Sequence, residues 1–183
     1  MIRNEFRFWA AWDYELEEMW LNHMAQQGWH LLRVTMGTYY TFEKGEPGAY
    51  QYRLEMLDES KGEQYLSFME EAGIEKIGGY LWWVYFRKKN DGTPFELFSD
   101  VKSRIAHLQR IKKLMDTLKI LLTVFLSLDY LLFMVEIWTG NATGIMQMFV
   151  MLPCVLICLW IWGGSKKLRY QIECLQQEQM IHE

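Results

Sequence analysis

The stretch ILLTVFLSLDYLLFMVEIW, residues 120–138, decides the class of this protein. Its nineteen residues extend about 28 Å as a helix, close to the thickness of the hydrocarbon core of a bilayer. Twelve of them are Leu, Ile, Val or Phe, which favour insertion by about 5 kcal/mol in total. Asp129 at the centre opposes insertion by about 3 kcal/mol. The balance predicts a transmembrane helix.

A second apolar run, Gly144 to Trp162, follows after a linker of five residues and carries no formal charge. So short a linker predicts an antiparallel transmembrane hairpin over residues 120–162. Lys and Arg precede the first run and follow the second, and the linker has neither. The positive-inside rule therefore predicts that both termini lie in the cytoplasm. The alternative interpretation is a helical hairpin buried inside a soluble protein.

Asp129 is the polar residue that the hairpin must accommodate. If the two runs are reflected about Asn141, Asp129 lies opposite Pro153, which has no N–H and so leaves the carbonyl of Phe149 free. We predict that a protonated Asp129 donates to that carbonyl or to Gln147 and locks the hairpin. The alternative is that Asp129 binds a charged residue of a partner membrane protein.

Charge divides the chain near residue 99. Residues 1–98 hold 10 Lys and Arg against 16 Asp and Glu, whereas residues 99–183 hold 9 against 7. A front domain with a net charge of −6 is a poor candidate for binding nucleic acid, because neutralised phosphates supply most of that affinity. Basic residues and an apolar stripe at helical spacing predict an amphipathic juxtamembrane helix over 99–119.

The predicted organisation is therefore a cytoplasmic domain over 1–98, the juxtamembrane helix, the hairpin, and a cytoplasmic helical tail over 163–183. The apolar stripes of the juxtamembrane helix and the tail have three candidate partners: each other, a second copy of the chain, or lipid.

The first 98 residues predict an α+β fold. Alternating apolar residues mark strands at 6–12, 30–35, 39–44, 50–57 and 80–87. Helical spacing marks one helix that Asp13 caps and Gly28 ends, and a second helix before Gly73. The order β-α-β-β-β-α-β corresponds to a decorated ferredoxin-like arrangement.

Two helices cover one face of such a sheet, so the other face is predicted to be open. The helix-facing side takes the apolar residues Phe6, Phe8, Leu32, Val34, Tyr50, Tyr52 and Leu54. The open face mixes aromatic rings with guanidinium groups, as binding surfaces do; its candidate residues are Arg7, Trp9, Arg33, Arg53, Trp83 and Tyr85. The alternative is a face satisfied within the chain, with Arg53 paired to a Glu across strands and Trp83 covered by the basic segment.

Known catalytic and metal-binding motifs are absent from the sequence. The four histidines lack the spacing of metal ligands, and no nucleotide-binding or hydrolase motif occurs. The adjacent carboxylates Glu17 and Glu18 are interpreted as a solvated helix face. Cys154 and Cys158 lie one turn apart and are interpreted as packing residues, with a redox switch as the alternative. We therefore expect no enzyme activity, no metal and no cofactor.

Several short motifs resemble those of a known family. In the first half of the front domain they are WLN at 20–22, GW at 28–29, FEKGEP at 42–47 and YQYR at 50–53. In the second half they are EEAG at 70–73, WVYFRK at 83–88 and ELFSD at 96–100. On these motifs the chain resembles DUF2812, a bacterial family of unknown function, and the hairpin matches that family's usual layout. Gly73-Ile74 departs from a common Gly-Trp. The resemblance implies a bacterial membrane protein and no particular activity.

Two functional hypotheses follow. The first is a membrane-anchored cytoplasmic regulatory module that presents its sheet face to a protein partner or a small ligand. The second is an accessory subunit of a membrane transporter, which acts through the hairpin and its polar residues Asp129 and Gln147. RNA binding through the sheet is a third hypothesis, which the net charge disfavours. We expect the cell membrane as the location, with lipid, an unidentified protein or a second copy as partners, and no nucleic acid.

Overall fold

The computed structural model describes residues 1–57, 62–98, 100–140 and 144–182. It divides the chain into two units, Met1–His107 and Leu108–Glu183. The first unit is α+β and contains two three-stranded sheets. The second unit consists of two long helices. Ser99, the first residue of the predicted juxtamembrane helix, lies outside the described residues.

The front unit alternates strands and helices in an order close to the predicted one. Its elements are β1 Ile2–Phe6, α1 Tyr14–Gln26, β2 Trp29–Thr35, β3 Tyr39–Lys44, β4 Tyr50–Met56, α2 Gly62–Glu71, β5 Ile74–Tyr80 and β6 Trp83–Lys89. All strand pairs are antiparallel, with the orders β1-β3-β2 and β4-β6-β5.

This topology corrects the ferredoxin-like prediction. That arrangement has one sheet, whereas the described strands form two sheets. The strand predicted at 80–87 includes the end of β5, a turn and most of β6, so this part of the chain is a hairpin. The register of β5 shifts between Lys76 and Gly78. Because glycines and charged residues interrupt its apolar pattern, β5 carries no clear strand signal in the sequence.

The first strand begins four residues earlier than predicted. β1 pairs with β3 from Ile2 opposite Glu43 to Phe6 opposite Tyr39. The chain then passes through a short 3-10 turn at Ala11–Asp13 into α1. The aromatic alternation at 6–12 is therefore not a strand, and Phe6 and Phe8, predicted to face the helices, are exposed.

The two helices of the front unit cover opposite faces of the second sheet. Tyr85 of β6 belongs to the core that includes Leu21 of α1. Its neighbours Val84 and Phe86 pack with Met69 of α2. Because successive side chains of a strand point to opposite faces, neither face of β6 is open. The prediction of one open face is wrong for this sheet.

A β-bulge in β2 explains which of its residues are buried. The register with β3 shifts between Leu31 and Arg33. Leu31 and Val34 are both buried, whereas Leu32, predicted to face the helices, is 38% exposed. At the end of α1, Gly28 adopts a φ of +79° and terminates the helix as predicted.

The second unit contains α4, Gly144–His182, and the part of α3, Val101–Thr139, that follows His107. Side-chain bonds join Asp116 to Ser165 and Asp129 to Gln147, so the helices are antiparallel. α3 begins before the first apolar run and α4 continues after the second, so both spans extend as helices at the ends where this was predicted.

Half-buried and buried side chains recur every three or four residues along both helices. On α3 they are Met115, Lys119, Leu122, Leu126, Asp129, Phe133 and Glu136, and on α4 they are Gln147, Met151, Cys154, Cys158, Ile161, Ser165 and Leu168. The average spacing of 3.5 residues is that of a coiled coil. We call this set the seam. Cys154 and Cys158 are free thiols within it.

Both helices are long and apolar enough to cross a membrane. The candidate spans lie within Val101–Thr139, with a mean hydropathy of 2.1, and Phe149–Ile181, with 1.6. Little of the most apolar stretch of each helix is buried in the structure: 0% of its residues in α3 and 17% in α4. By length, composition and exposure, the two helices are therefore candidate membrane spans. Cytoplasmic termini stay a prediction from the basic flanks.

Candidate functional site

The six candidate binding residues do not form one surface. Arg7 and Trp9 follow β1, and the guanidinium of Arg7 lies 4.8 Å from the Trp20 ring centroid and 5.9 Å from that of Trp9. Arg33 is exposed on β2 of the same unit. These contacts order Arg7 above two indole rings by cation–π attraction.

The other three candidates are held inside the front unit. The Nε atom of Arg53 lies 3.7 Å from a carboxylate oxygen of Glu18, on α1 rather than on a strand. The ring of Trp83 packs edge-on against His107, with centroids 5.9 Å apart. Tyr85 is buried. For these residues the structure favours the alternative of a face satisfied within the chain.

A buried carboxylate joins three elements of the core. The hydroxyls of Tyr40 on β3 and Tyr85 on β6 both donate to Oε1 of Glu17, at 2.7 and 2.6 Å. Burial raises the pKa of Glu17, and the two hydroxyl donors offset part of that rise. The same burial, together with the charge of Glu17, raises the pKa of both tyrosines, so they stay protonated donors. The solvated interpretation of Glu17 is wrong.

Side chains also close the free edge of β4. The backbone N–H groups of Tyr52, Leu54 and Met56 point away from β6 and are accepted by Asn22, Glu18 and His107, at 2.9, 2.7 and 3.0 Å respectively. Asn22 also donates to the carbonyl of Tyr52 at 3.0 Å. A closed edge cannot accept an added strand, so β-augmentation at β4 is excluded.

Glu18 accepts the bond from the Leu54 N–H while its own side chain is largely buried. Burial raises its pKa to about 7, although the Leu54 N–H and the charge of Arg53 lower it. Neutral pH thus lies within the titration range of a group that holds β4. The carboxylate pair in the sequence therefore has two structural roles, one in the core and one at the sheet edge.

Two hairpin turns carry strained, exposed apolar residues. Met36, between β2 and β3, and Leu81, between β5 and β6, both have a φ of 54°. They are 65% and 71% exposed. A left-handed backbone is unfavourable for large side chains. Together with their exposed neighbours they form what we call the hairpin-tip surface: Phe6, Met36, Tyr39, Tyr80, Leu81 and Trp82.

Direct contacts connect the parts of the hairpin-tip surface. The rings of Phe6 and Tyr39 lie 5.0 Å apart. A Cβ atom added at Gly37 would lie 2.9 Å from the ring of Tyr80, so the two turns touch. The N–H of Arg7 donates to the carbonyl of Thr38 at 2.9 Å, which places Arg7 beside the same turn.

The patterns in the sequence do not indicate this surface. They place Phe6 on the helix-facing side of the sheet and give Met36 and Leu81 no role. The available signal was the presence of bulky apolar residues at turn positions, where polar residues or glycine are usual. Such residues gain nothing from a turn unless something covers them.

Between the spans, Asp129 contacts Gln147, one of its two predicted partners, but Gln147 rather than Asp129 is the donor. The amide of Gln147 donates to Oδ1 and to the backbone carbonyl of Asp129, both at 2.9 Å. The Phe149 alternative is not supported, because Pro153 is exposed rather than on the seam. Glu136, which was not among the predicted polar residues of the hairpin, occupies the seam as well. Among the described residues, Asp129 Oδ2, Gln147 Oε1 and Glu136 Oε2 are buried without a partner.

Two histidines of the front unit, His30 and His107, make structural bonds. Nε2 of His30 contacts the carbonyl of Glu46 at 2.8 Å, and Nε2 of His107 accepts from Met56. Within the described ranges, no group of three His, Cys, Asp or Glu side chains could hold a metal ion.

The chain matches the family described as "Protein of unknown function (DUF2812)" over residues 13–120. The match covers more than half of the 183 residues. It includes the three side chains that close the edge of β4. Comparison with curated proteins and with solved structures found no match. Since the family match extends from the start of α1 into the first apolar run, the chain belongs to the DUF2812 family.

Proposed function

We propose that this protein is a membrane-anchored regulatory module whose front unit presents the hairpin-tip surface to a protein partner. The observation that carries the proposal is the pair Met36 and Leu81, whose large apolar side chains stay exposed on a left-handed backbone. Each such residue costs about 1–2 kcal/mol. Strain that persists without burying the side chain is typical of functional positions.

The chemistry of the surface favours a protein over a small ligand. Sites for small molecules are concave and enclose most of the ligand, whereas this surface is formed by exposed turns. Exposed aromatic rings next to an arginine are the composition of interface hot spots. Arg7, one of the sequence-based candidates, therefore lies beside the hairpin-tip surface.

The two apolar helices support the membrane anchor, and their basic flanks support a cytoplasmic front unit. The proposal assigns no reaction to the protein. The carboxylates of Glu17 and Glu18 are bound to core tyrosines and to β4, and that of Glu55 accepts from Tyr65. They serve the fold rather than a substrate.

The test is crosslinking mass spectrometry in native membranes with the double variant Met36→Asn, Leu81→Asn. Asparagine tolerates the left-handed backbone, so the variant removes apolar surface without unfolding the turns. The control is Met19→Gln, Phe68→Gln, which removes two exposed apolar residues from helices. We expect the asparagine variant to lose specific crosslinks at least about tenfold, as hot-spot truncation does, while the control keeps them.

Equal crosslinking by the wild type and the asparagine variant would contradict the proposal. Trp83→Ala is not a useful probe, because the Trp83 ring packs against Tyr14 and His107. Its removal would disturb the fold and any partner at once.

A second candidate function is an accessory subunit that acts through the seam. The observation in its favour is that Asp129 and Glu136 each carry a buried oxygen without a partner among the described residues. Charged or polar groups of another membrane protein could satisfy them. In the same experiment, loss of crosslinks with Asp129→Leu but not with the asparagine variant would favour this function.

A further inference from the structure

A groove of about 670 Å³ lies between α3 and α4, at the end of the helix pair where the first apolar run begins. On α3 it is lined by Lys112, Lys113, Asp116 and Ile120, and on α4 by Arg169 and Glu173. All of them belong to the Leu108–Glu183 unit. The volume lies within the range of small-molecule sites.

The negative charge of Asp116 is already satisfied inside the helix pair. Lys112 and Lys119 pair with its carboxylate, and Ser165 donates to it at 2.7 Å. Burial raises the pKa of Asp116, but these donors outweigh burial and lower the pKa. Asp116 therefore stays ionised and holds the two lysines in place.

Lys113 and Arg169, unlike Lys112 and Lys119, do not pair with Asp116. Both are exposed, and neither has an ion-pair partner among the residues that the structure describes. Glu173 on the same wall is the opposing charge. The region around the groove, residues 108–120 and 161–176, holds seven Lys and Arg against two Asp and Glu. The groove therefore lies in a field that attracts anions.

The two free cations also lie at matching depths. Lys113 precedes the first residue of the first run, Ile120, by seven positions. Arg169 follows the last residue of the second run, Trp162, by seven positions. Seven residues of helix correspond to about 10 Å. Both side chains thus reach the headgroup layer of a bilayer whose core the two runs span.

We infer that this groove binds the phosphate headgroup of an anionic phospholipid, with Lys113 and Arg169 as the phosphate ligands. A lipid fits better than a soluble phosphate because Ile120, which lines the groove, is 64% exposed and begins the apolar run. An acyl chain that leaves the groove would continue along this surface. Basic pockets between helices on the cytoplasmic side are known binding sites for anionic headgroups. The inference is independent of the hairpin-tip surface.

The test is a titration of the full chain in phosphatidylcholine nanodiscs with phosphatidylglycerol, with bound lipid counted by native mass spectrometry. The variant Lys113→Gln, Arg169→Gln should bind phosphatidylglycerol about 30-fold more weakly. The control Lys166→Gln, Lys167→Gln removes the same charge from the same region but from outside the groove, and should weaken binding less than about threefold. Glu173→Gln should tighten binding about fivefold.

Two results would overturn the inference. Equal losses in the groove variant and the control would mean that only the general surface charge attracts lipid. Displacement of phosphatidylglycerol by millimolar inorganic phosphate would mean that the groove binds a free phosphate rather than a lipid. Circular dichroism of each variant, with unchanged helix content, checks that the helix pair is intact.

Discussion

The side-chain amide of Gln147 donates to Oδ1 of Asp129 at 2.9 Å, in the seam between the two apolar helices. The other carboxylate oxygen of Asp129 and the amide oxygen of Gln147 are both buried acceptors without a partner among the described residues. An amide nitrogen in place of the second carboxylate oxygen would turn one of these acceptors into a donor. Polar groups without a partner are costly at this depth.

We therefore predict that Asp129→Asn preserves the helix pair. Asparagine can donate to Gln147 and accept from it. Asp129→Leu removes the side-chain bond, keeps only the bond to the backbone carbonyl, and should destabilise the pair by about 1–2 kcal/mol. The measurement is denaturation of the full chain in mixed micelles, followed by a crosslink between α3 and α4. The prediction fails if Asp129→Asn is as unstable as Asp129→Leu.

The edge of β4 gives a second prediction. Asn22→Ala leaves the N–H of Tyr52 without its acceptor and removes one of the two donors to the Tyr52 carbonyl, which keeps its bond from Arg53. We expect a loss of about 1–3 kcal/mol in the free energy of unfolding of the front unit and faster hydrogen exchange at the Tyr52 amide. His23→Ala, on the exposed side of the same helix, is the control. Similar exchange rates in both variants would show that Asn22 does not hold the edge.

The raised pKa of Glu18 predicts a pH dependence. A carboxyl whose folded pKa is about 7, above its ordinary 4.5, favours the folded state when protonated. Its contribution is fully present below pH 4.5 and is lost as the pH rises through 7. With the side chain 13% exposed, we expect a loss of about 2–3 kcal/mol over this range.

Glu18→Gln isolates this effect, because glutamine keeps an acceptor for the Leu54 N–H without titrating. The difference in unfolding free energy between the wild type and Glu18→Gln should change by that amount between pH 4.5 and 8. Pulse proteolysis of the full chain across a urea series measures it. Glu63→Gln, an exposed glutamate on α2, should behave like the wild type at every pH.

The parts of the fold that periodic burial decides could be predicted from the sequence. The apolar runs, the end of α1 at Gly28 and the burial of Tyr52 and Leu54 each follow from local patterning. The contact of Asp129 with Gln147 was predictable because few polar groups lie within the runs. The division into two sheets could not be predicted, because strand pairing joins segments that are far apart in the sequence and because β5 has little apolar alternation.

The candidate site was harder to predict for a related reason. An arginine or a tryptophan on a strand looks the same in sequence whether it faces solvent or a helix. Trp83 and Tyr85 lie on the face of β6 that α1 covers, while α2 covers the other face. No local pattern in the sequence shows on which face each helix packs. The hairpin-tip surface depends on two turns that are about forty residues apart in the chain and meet only after folding.

That meeting of the turns can be tested at Gly37. A methyl group there would lie 2.9 Å from the Tyr80 ring and on a backbone with a φ of +65°. Gly48 has a similar φ, +74°, but no heavy atom within 4 Å of the added group. Gly48→Ala should therefore lower the free energy of unfolding by about 1 kcal/mol, because of its backbone conformation alone. Gly37→Ala should lower it by about 2–3 kcal/mol, because its methyl group also meets the Tyr80 ring. In a chain with Tyr80→Ala, the additional destabilisation by Gly37→Ala should disappear. A double-mutant cycle should therefore give a coupling energy of about 1–2 kcal/mol between Gly37 and Tyr80. Additive effects, measured by pulse proteolysis in urea, would mean that the two turns do not touch and that the hairpin-tip surface is not continuous.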